Sequence, residues 1–171
     1  MAAILWLISP HQLSLYNHTM PATKPYKIPR STLVVIYTAR LEVLLIERAE
    51  RGYWQSVTGS QDGDETLLET ATREVMEETG IDATRYPLSD WRQQNEYEIY
   101  AIWRHRYAPG VTHNVEHVFG LQLPDRVAVT LHAGEHLQHV WLAHERAAAL
   151  CFSGTNRDAI LTLQQRLSLT L

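Results

Sequence analysis

The chain has 171 residues, 45% of them hydrophobic and 20% charged, with a formal net charge of −4. That length carries one domain with a sizeable core, and the near-balanced charge supplies no basic field to draw in nucleic acid. The single cysteine, Cys151, excludes an internal disulfide and fits a reducing cytoplasm.

Residues 1–22 read as an N-terminal extension ahead of a domain over 23–171. Met1 to Thr19 contains no Lys, Arg, Asp or Glu. Its apolar run, residues 2–8, falls far short of the roughly 20 residues a membrane helix needs and lacks a signal peptide's basic flank. Met20 opens a segment that leads directly into the domain, so an upstream start assignment is expected. The alternative is a natural arm that packs on the domain or a partner; the intact mass of the native protein separates the two.

The β-branched run over 31–37 predicts a buried strand, and 42–48 a second one joined through a turn at Ala39-Arg40. Residues 50–54 read as a loop and 55–58 as a short strand. A helix follows over 66–79, with Leu67, Leu68, Ala71 and Val75 as its core stripe. Asp64 or Thr66 caps its start, and Gly80 suits the left-handed position after its end. Further strands are expected over 96–103, 116–123 and 137–142, the last with Val140 and Leu142 in the core. Pro109-Gly110 marks a turn. Residues 144–150 and 155–167 carry helical patterns, and Cys151 between Leu150 and Phe152 reads as a buried structural thiol. Alternating strands and helices indicate a mixed α/β sandwich.

The most informative stretch runs from Gly59 to Ile81. Helical spacing puts Glu74, Glu77 and Glu78 on one face. Each like-charge pair at that spacing costs about 0.2–0.5 kcal/mol. A solvated acidic face is the bland reading; a divalent cation, Mg²⁺ or Mn²⁺, is the sharper one. The order is Gly59, five residues, Glu65, seven residues, then Arg73-Glu74-Val75-x-Glu77-Glu78-x-Gly80-Ile81. At every fixed position it resembles the signature of the Nudix hydrolases. Outside it, Pro25-Tyr26-Lys27, residues 33–37, 54–59 and 104–111, Glu135-His136-Leu137 and residues 155–160 resemble the dihydroneopterin triphosphate pyrophosphohydrolase branch of that family.

The resemblance implies a Nudix-type α/β/α sandwich with a mixed sheet. It also implies Mg²⁺-dependent hydrolysis of dihydroneopterin triphosphate to the monophosphate and pyrophosphate, in folate biosynthesis. The alternative substrates are (d)NTPs or dinucleoside polyphosphates, because the box is the same in those enzymes. A non-catalytic nucleotide-binding regulator is disfavoured, since such modules usually lose box glutamates and this chain keeps them. The expected partner is a small-molecule triphosphate, with no nucleic acid and no membrane. Oligomeric state stays open, a monomer being compatible.

Glu74 and Glu78 are the first choices for metal ligands, with Glu77 beside them for a second ion or a bound water. By resemblance Arg73 orients Glu65 or Glu74 rather than substrate, and an ion pair with Glu69 is a further option for it. A third carboxylate comes from Glu135 or Glu116; the resemblance favours Glu135, as ligand and candidate base. Spacing does not separate Glu78 from Glu135 as the group that activates water. Lys27, Arg48 and Thr58 match phosphate-contacting positions. Tyr97, Glu98, Ile99 and Tyr100 match the pterin-lining segment, with Tyr where the relatives carry Phe, and Ser153 is a weaker contact. Trp54 reads as packing more than as a stacking surface. The nine histidines fall on no convincing metal spacing, and His105, His113 and His117 read as hydrogen-bonding groups.

Overall fold

A strand buried along its whole length has to be covered on both faces, and β1 (Arg30–Thr38) is buried from Ser31 onward. In the computed structural model, which describes residues 25–168, its alternate side chains enter two cores. Val34 and Ile36 pack with Ala71 and Val75 on one face. Leu33, Val35 and Tyr37 pack with Ala147, Ala148, Ala159, Ile160 and Leu163 on the other. The expected extension over 1–22 lies outside the described residues.

The remaining elements are β2 (Glu42–Arg48), β3 (Trp54–Gln55), β4 (Val57–Ser60), α1 (Leu67–Thr79), β5 (Leu88–Glu98), β6 (His113–Leu123), β7 (His136–Ala143), α2 (His144–Leu150), α3 (Gly154–Leu161) and α4 (Leu163–Ser168). The seven strands form one mixed sheet, covered by α1 on one face and α2 to α4 on the other. This is the α/β/α sandwich expected. β1 runs parallel to β6 along its whole length. Its other edge is shared: residues 31–34 pair with β4, while Tyr37 pairs with Val43 of β2. β2 turns its far side to β7 and its end to β3. The candidate site lies at this parting of the strands.

Four expectations need correction. The strand expected over 96–103 belongs to a longer one that ends at Glu98, after which residues 101–106 wind into a 3₁₀ helix. β5 is polar and pairs only with β6, so it lacks the apolar alternation of a covered strand. A bulge between Asp90 and Gln93, with Arg92 at φ 53°, further breaks its period. Leu68 is exposed rather than in the stripe of α1. The short strand over 55–58 is two strands, and the helix over 155–167 breaks at Thr162, whose N–H and hydroxyl both bond to the Ala159 carbonyl.

Candidate active site

Helix α1 is fixed at both ends by its own sequence. Thr66 Oγ1 accepts from the Glu69 amide, and Glu69 Oε2 accepts from the Thr66 amide, a capping box. Gly80 closes the helix at φ 68°, the left-handed conformation. Glu69 is thereby used at the cap, and the optional pair with Arg73 does not form among the described ion pairs.

Arg73 instead grips the glutamates ahead of and beside it. Its Nε and Nη2 fork onto Glu65 at 2.7 and 3.0 Å. Nη1 donates to Glu74 at 2.7 Å and to Glu77 at 3.1 Å, and Nη2 also reaches the Ser60 carbonyl at 3.1 Å. The guanidinium holds the Glu65 carboxyl down at about 2. Glu74 moves the other way, to about 7: burial outweighs the opposing pull of Arg73, and Glu78 and Glu77 add repulsion. A Cβ built on Gly59 would fall 1.7 Å from Glu74 Cδ. A side chain there would have to displace the Glu74 carboxyl, which lies against the backbone of β4.

Glu78 lies one turn further along, buried. Its Oε2 accepts from the Thr58 amide at 3.2 Å. Its Oε1 is 3.2 Å from Nε2 of His136, the first residue of β7. The His136 side chain is 2% exposed, and neither ring nitrogen has a hydrogen-bond partner. Donor atoms of Glu78, Glu135 and His136 all lie within 4.8 Å of one another, a group able to hold a metal ion. The fit rests on the donors themselves: carboxylate oxygens converge there beside an orphaned imidazole, and a cation answers both. Glu116 is not part of that group: it is buried on β6, where Asn95 donates to it at 3.2 Å and burial raises its pKa.

A cleft of about 720 Å³ runs from these carboxylates. Lys27, Arg48, Thr58 and Ser60 line it near the acids. Lys27 Nζ donates to Ser60 Oγ at 3.3 Å, and burial and then Arg106 lower its pKa. Arg48 sits 3.8 Å from Glu50, and Thr58 Oγ1 accepts from Gln55 at 3.0 Å. Tyr97, Glu98, Ile99, Tyr100 and Ser153 also line the cleft. The Tyr97 hydroxyl accepts from Asn114 at 3.1 Å and is pushed up to about 12, mainly by burial. Arg104 holds the Glu98 carboxylate, Ile99 is buried, and Ser153 caps α3.

Of the aromatic wall, sequence reasoning found Tyr100 and missed the rest. Tyr53 and Phe152 stack with centroids 4.2 Å apart and planes 3° from parallel. Tyr100 approaches Phe152 at 6.4 Å and meets Trp103 edge-on at 5.4 Å. Trp54, one residue from Tyr53, packs into the core instead. His136 was also missed as part of the carboxylate group; its adjacency to Glu135 was the one available signal. Cys151 is partly buried, and its thiol is pushed up to about 12 by burial, which makes it a poor nucleophile. No helix among the described residues is long and apolar enough to cross a membrane.

The NUDIX domain model matches residues 27–163. The chain is 45% identical over 141 residues to the dihydroneopterin triphosphate diphosphatase of Escherichia coli (strain K12), covering 80% of this chain and 93% of that protein. It is 37% identical over 139 residues to the Haemophilus influenzae protein of the same name, covering 79% and 87%. The solved structure of the E. coli dihydroneopterin triphosphate pyrophosphohydrolase is similar at a TM-score of 0.75, over 82% of this chain and 97% of that one.

Proposed function

The chain belongs to the NUDIX domain family, and from that premise we propose that it hydrolyses dihydroneopterin triphosphate to dihydroneopterin monophosphate and pyrophosphate. One water is consumed and the anhydride between the α- and β-phosphates is broken. The observation that carries this reading is one cleft with a carboxylate group at one end and an aromatic wall at the other, in a chain 45% identical to a protein of that name.

Glu74, Glu77, Glu78 and Glu135 are the proposed holders of Mg²⁺, with Mn²⁺ able to replace it. When bound, the ion neutralises phosphate charge and lowers the pKa of a coordinated water. Arg73 fixes the carboxylates and does not contact substrate, since its donors are spent on Glu65, Glu74, Glu77 and the Ser60 carbonyl. Glu78 or Glu135 takes the proton from the attacking water. Lys27, Arg48 and the Thr58 hydroxyl receive the phosphates; burial, and then Arg106, lower the pKa of Lys27, and an anionic substrate favours its charged form. Tyr100, Phe152 and Tyr53 offer stacking surface for the pterin, with Tyr97, Glu98, Ile99 and Ser153 around it. The reaction belongs to folate biosynthesis in the cytoplasm, consistent with one unpaired thiol.

A substrate panel with Mg²⁺ tests the reading. The pterin triphosphate is expected to exceed dATP, GTP and diadenosine polyphosphates in kcat/KM. A nucleotide preferred by more than about tenfold, ~1.4 kcal/mol of transition-state binding, overturns the assignment.

A further inference from the structure

We propose that His136 is itself a ligand of the divalent ion, bound through Nε2 beside Glu78 Oε1 and an oxygen of Glu135, so that the site has a mixed nitrogen and oxygen donor set and favours Mn²⁺ over Mg²⁺. The inference rests on the metal-binding role proposed for Glu78 and Glu135, and adds to it a donor of different chemistry.

Three observations carry it. First, His136 is buried and both ring nitrogens lack a hydrogen-bond partner, although an imidazole always carries groups that need one. Second, Nε2 and Glu78 Oε1 are 3.2 Å apart without hydrogen-bond alignment. Adjacent ligands of one octahedral ion, each roughly 2.1 Å from it, stand about 3.0 Å apart. The pair thus has the spacing of two neighbouring ligands. Third, Glu78 is committed on its other side, where Oε2 accepts from the Thr58 amide. That contact aims Oε1 at the point His136 and Glu135 also face. His136 is fixed there by the sheet: it pairs with Arg48 across β2, and its amide bonds to the His132 carbonyl at 3.3 Å. Mg²⁺ demands oxygen donors and keeps its waters; Mn²⁺ also suits oxygen, but it is the weakest member of the divalent series whose affinity extends to sites with nitrogen donors.

The test is electron spin-echo envelope modulation on the full chain with one equivalent of Mn²⁺. Nitrogen modulation from a directly bound imidazole is expected, changing in form when histidine is labelled with ¹⁵N. It is expected to vanish in His136→Gln and to persist in His132→Gln, the other histidine near Glu135. Titrations on the same proteins should show Mn²⁺ affinity reduced about tenfold in His136→Gln and Mg²⁺ affinity changed by less than about threefold. Should His136→Gln not fold, the native and His132→Gln spectra decide the matter. Mn²⁺ bound with no nitrogen modulation, or modulation retained in folded His136→Gln, overturns the proposal and leaves the carboxylate site standing. Failure of the native chain to bind Mn²⁺, or binding indifferent to Glu78→Gln, overturns both.

Discussion

At the acidic end of the cleft, one guanidinium holds Glu65, Glu74 and Glu77, and all four residues lie on α1 or just ahead of it. At the aromatic end, Tyr53 comes from the loop after β2, Tyr100 and Trp103 from the stretch after β5, and Phe152 from the link between α2 and α3. The first end is built on a local cluster, held by charge-assisted hydrogen bonds and half-buried ion pairs, to which Glu135 and His136 are added from the start of β7. The second is an assembly of distant segments, held by ring contacts and left partly exposed. The difference matches two tasks. Phosphate cleavage tolerates little positional error in its charges, whereas ring recognition needs surface and tolerates repacking.

The largest expected effect follows from Glu78→Gln. Size and the bond from Thr58 are kept, but the charge is lost. We expect kcat to fall by about 10³-fold or more, ~4 kcal/mol, with a melting temperature near that of the native protein. A kcat within tenfold of native would show the acidic end to be misassigned. Gly59→Ala should come next. Its methyl overlaps the Glu74 carboxyl, and displacement by an ångström is worth about 10²-fold in kcat. In a Glu74→Ala background the same substitution should add less than ~0.5 kcal/mol to the loss. An undiminished cost there would mean that Gly59 acts on the backbone of β4 and not on Glu74.

Phe152→Ala addresses the other end. It removes the stacking partner of Tyr53 and should raise KM for the pterin substrate about tenfold, ~1.4 kcal/mol, with kcat within about threefold. A fall in kcat at constant KM would erase the division of labour between the two ends.

The smallest effect is a pH dependence of stability in chelator. Glu65 and Glu74 share one guanidinium but shift oppositely from 4.5. Glu65, near 2 when folded, stabilises above pH 4.5, and that contribution is lost as pH falls toward 2. Glu74, near 7 when folded, binds its proton more tightly in the native state. Its contribution is complete below pH 4.5 and lost as pH rises through 7. Urea unfolding from pH 3 to 8 should therefore show the alkaline loss reduced in Glu74→Gln and the acid loss reduced in Glu65→Gln. Identical profiles for both variants would show that the two carboxyls do not differ.

Local rules made much of this legible. β2 and α2 were read with their observed bounds, and α1 to within one residue: β2 is an apolar run between charged residues, and α1 has a 3.6-residue stripe with a capping residue at each end. β5 was misread because a polar edge strand takes its order from β6 and not from its own pattern. Glu135 could be favoured over Glu116 only through resemblance; in the fold the first lies beside Glu78 and the second is buried on β6. His136 and the Tyr53–Phe152 stack gave no periodic signal, since each is completed by a residue far away in sequence.

By itself, then, the sequence determined the box helix, the acidic face along it and the buried run of β1. Each follows from spacing along one element, where geometry repeats every two or 3.6 residues. Only the tertiary structure decided which distant groups complete the cleft. Parting β4 from β2 along the edge of β1 brings the start of β7 against α1 and the loop after β2 against the link before α3. Contacts between segments far apart in the chain are set by sheet order and packing, and no local period encodes them.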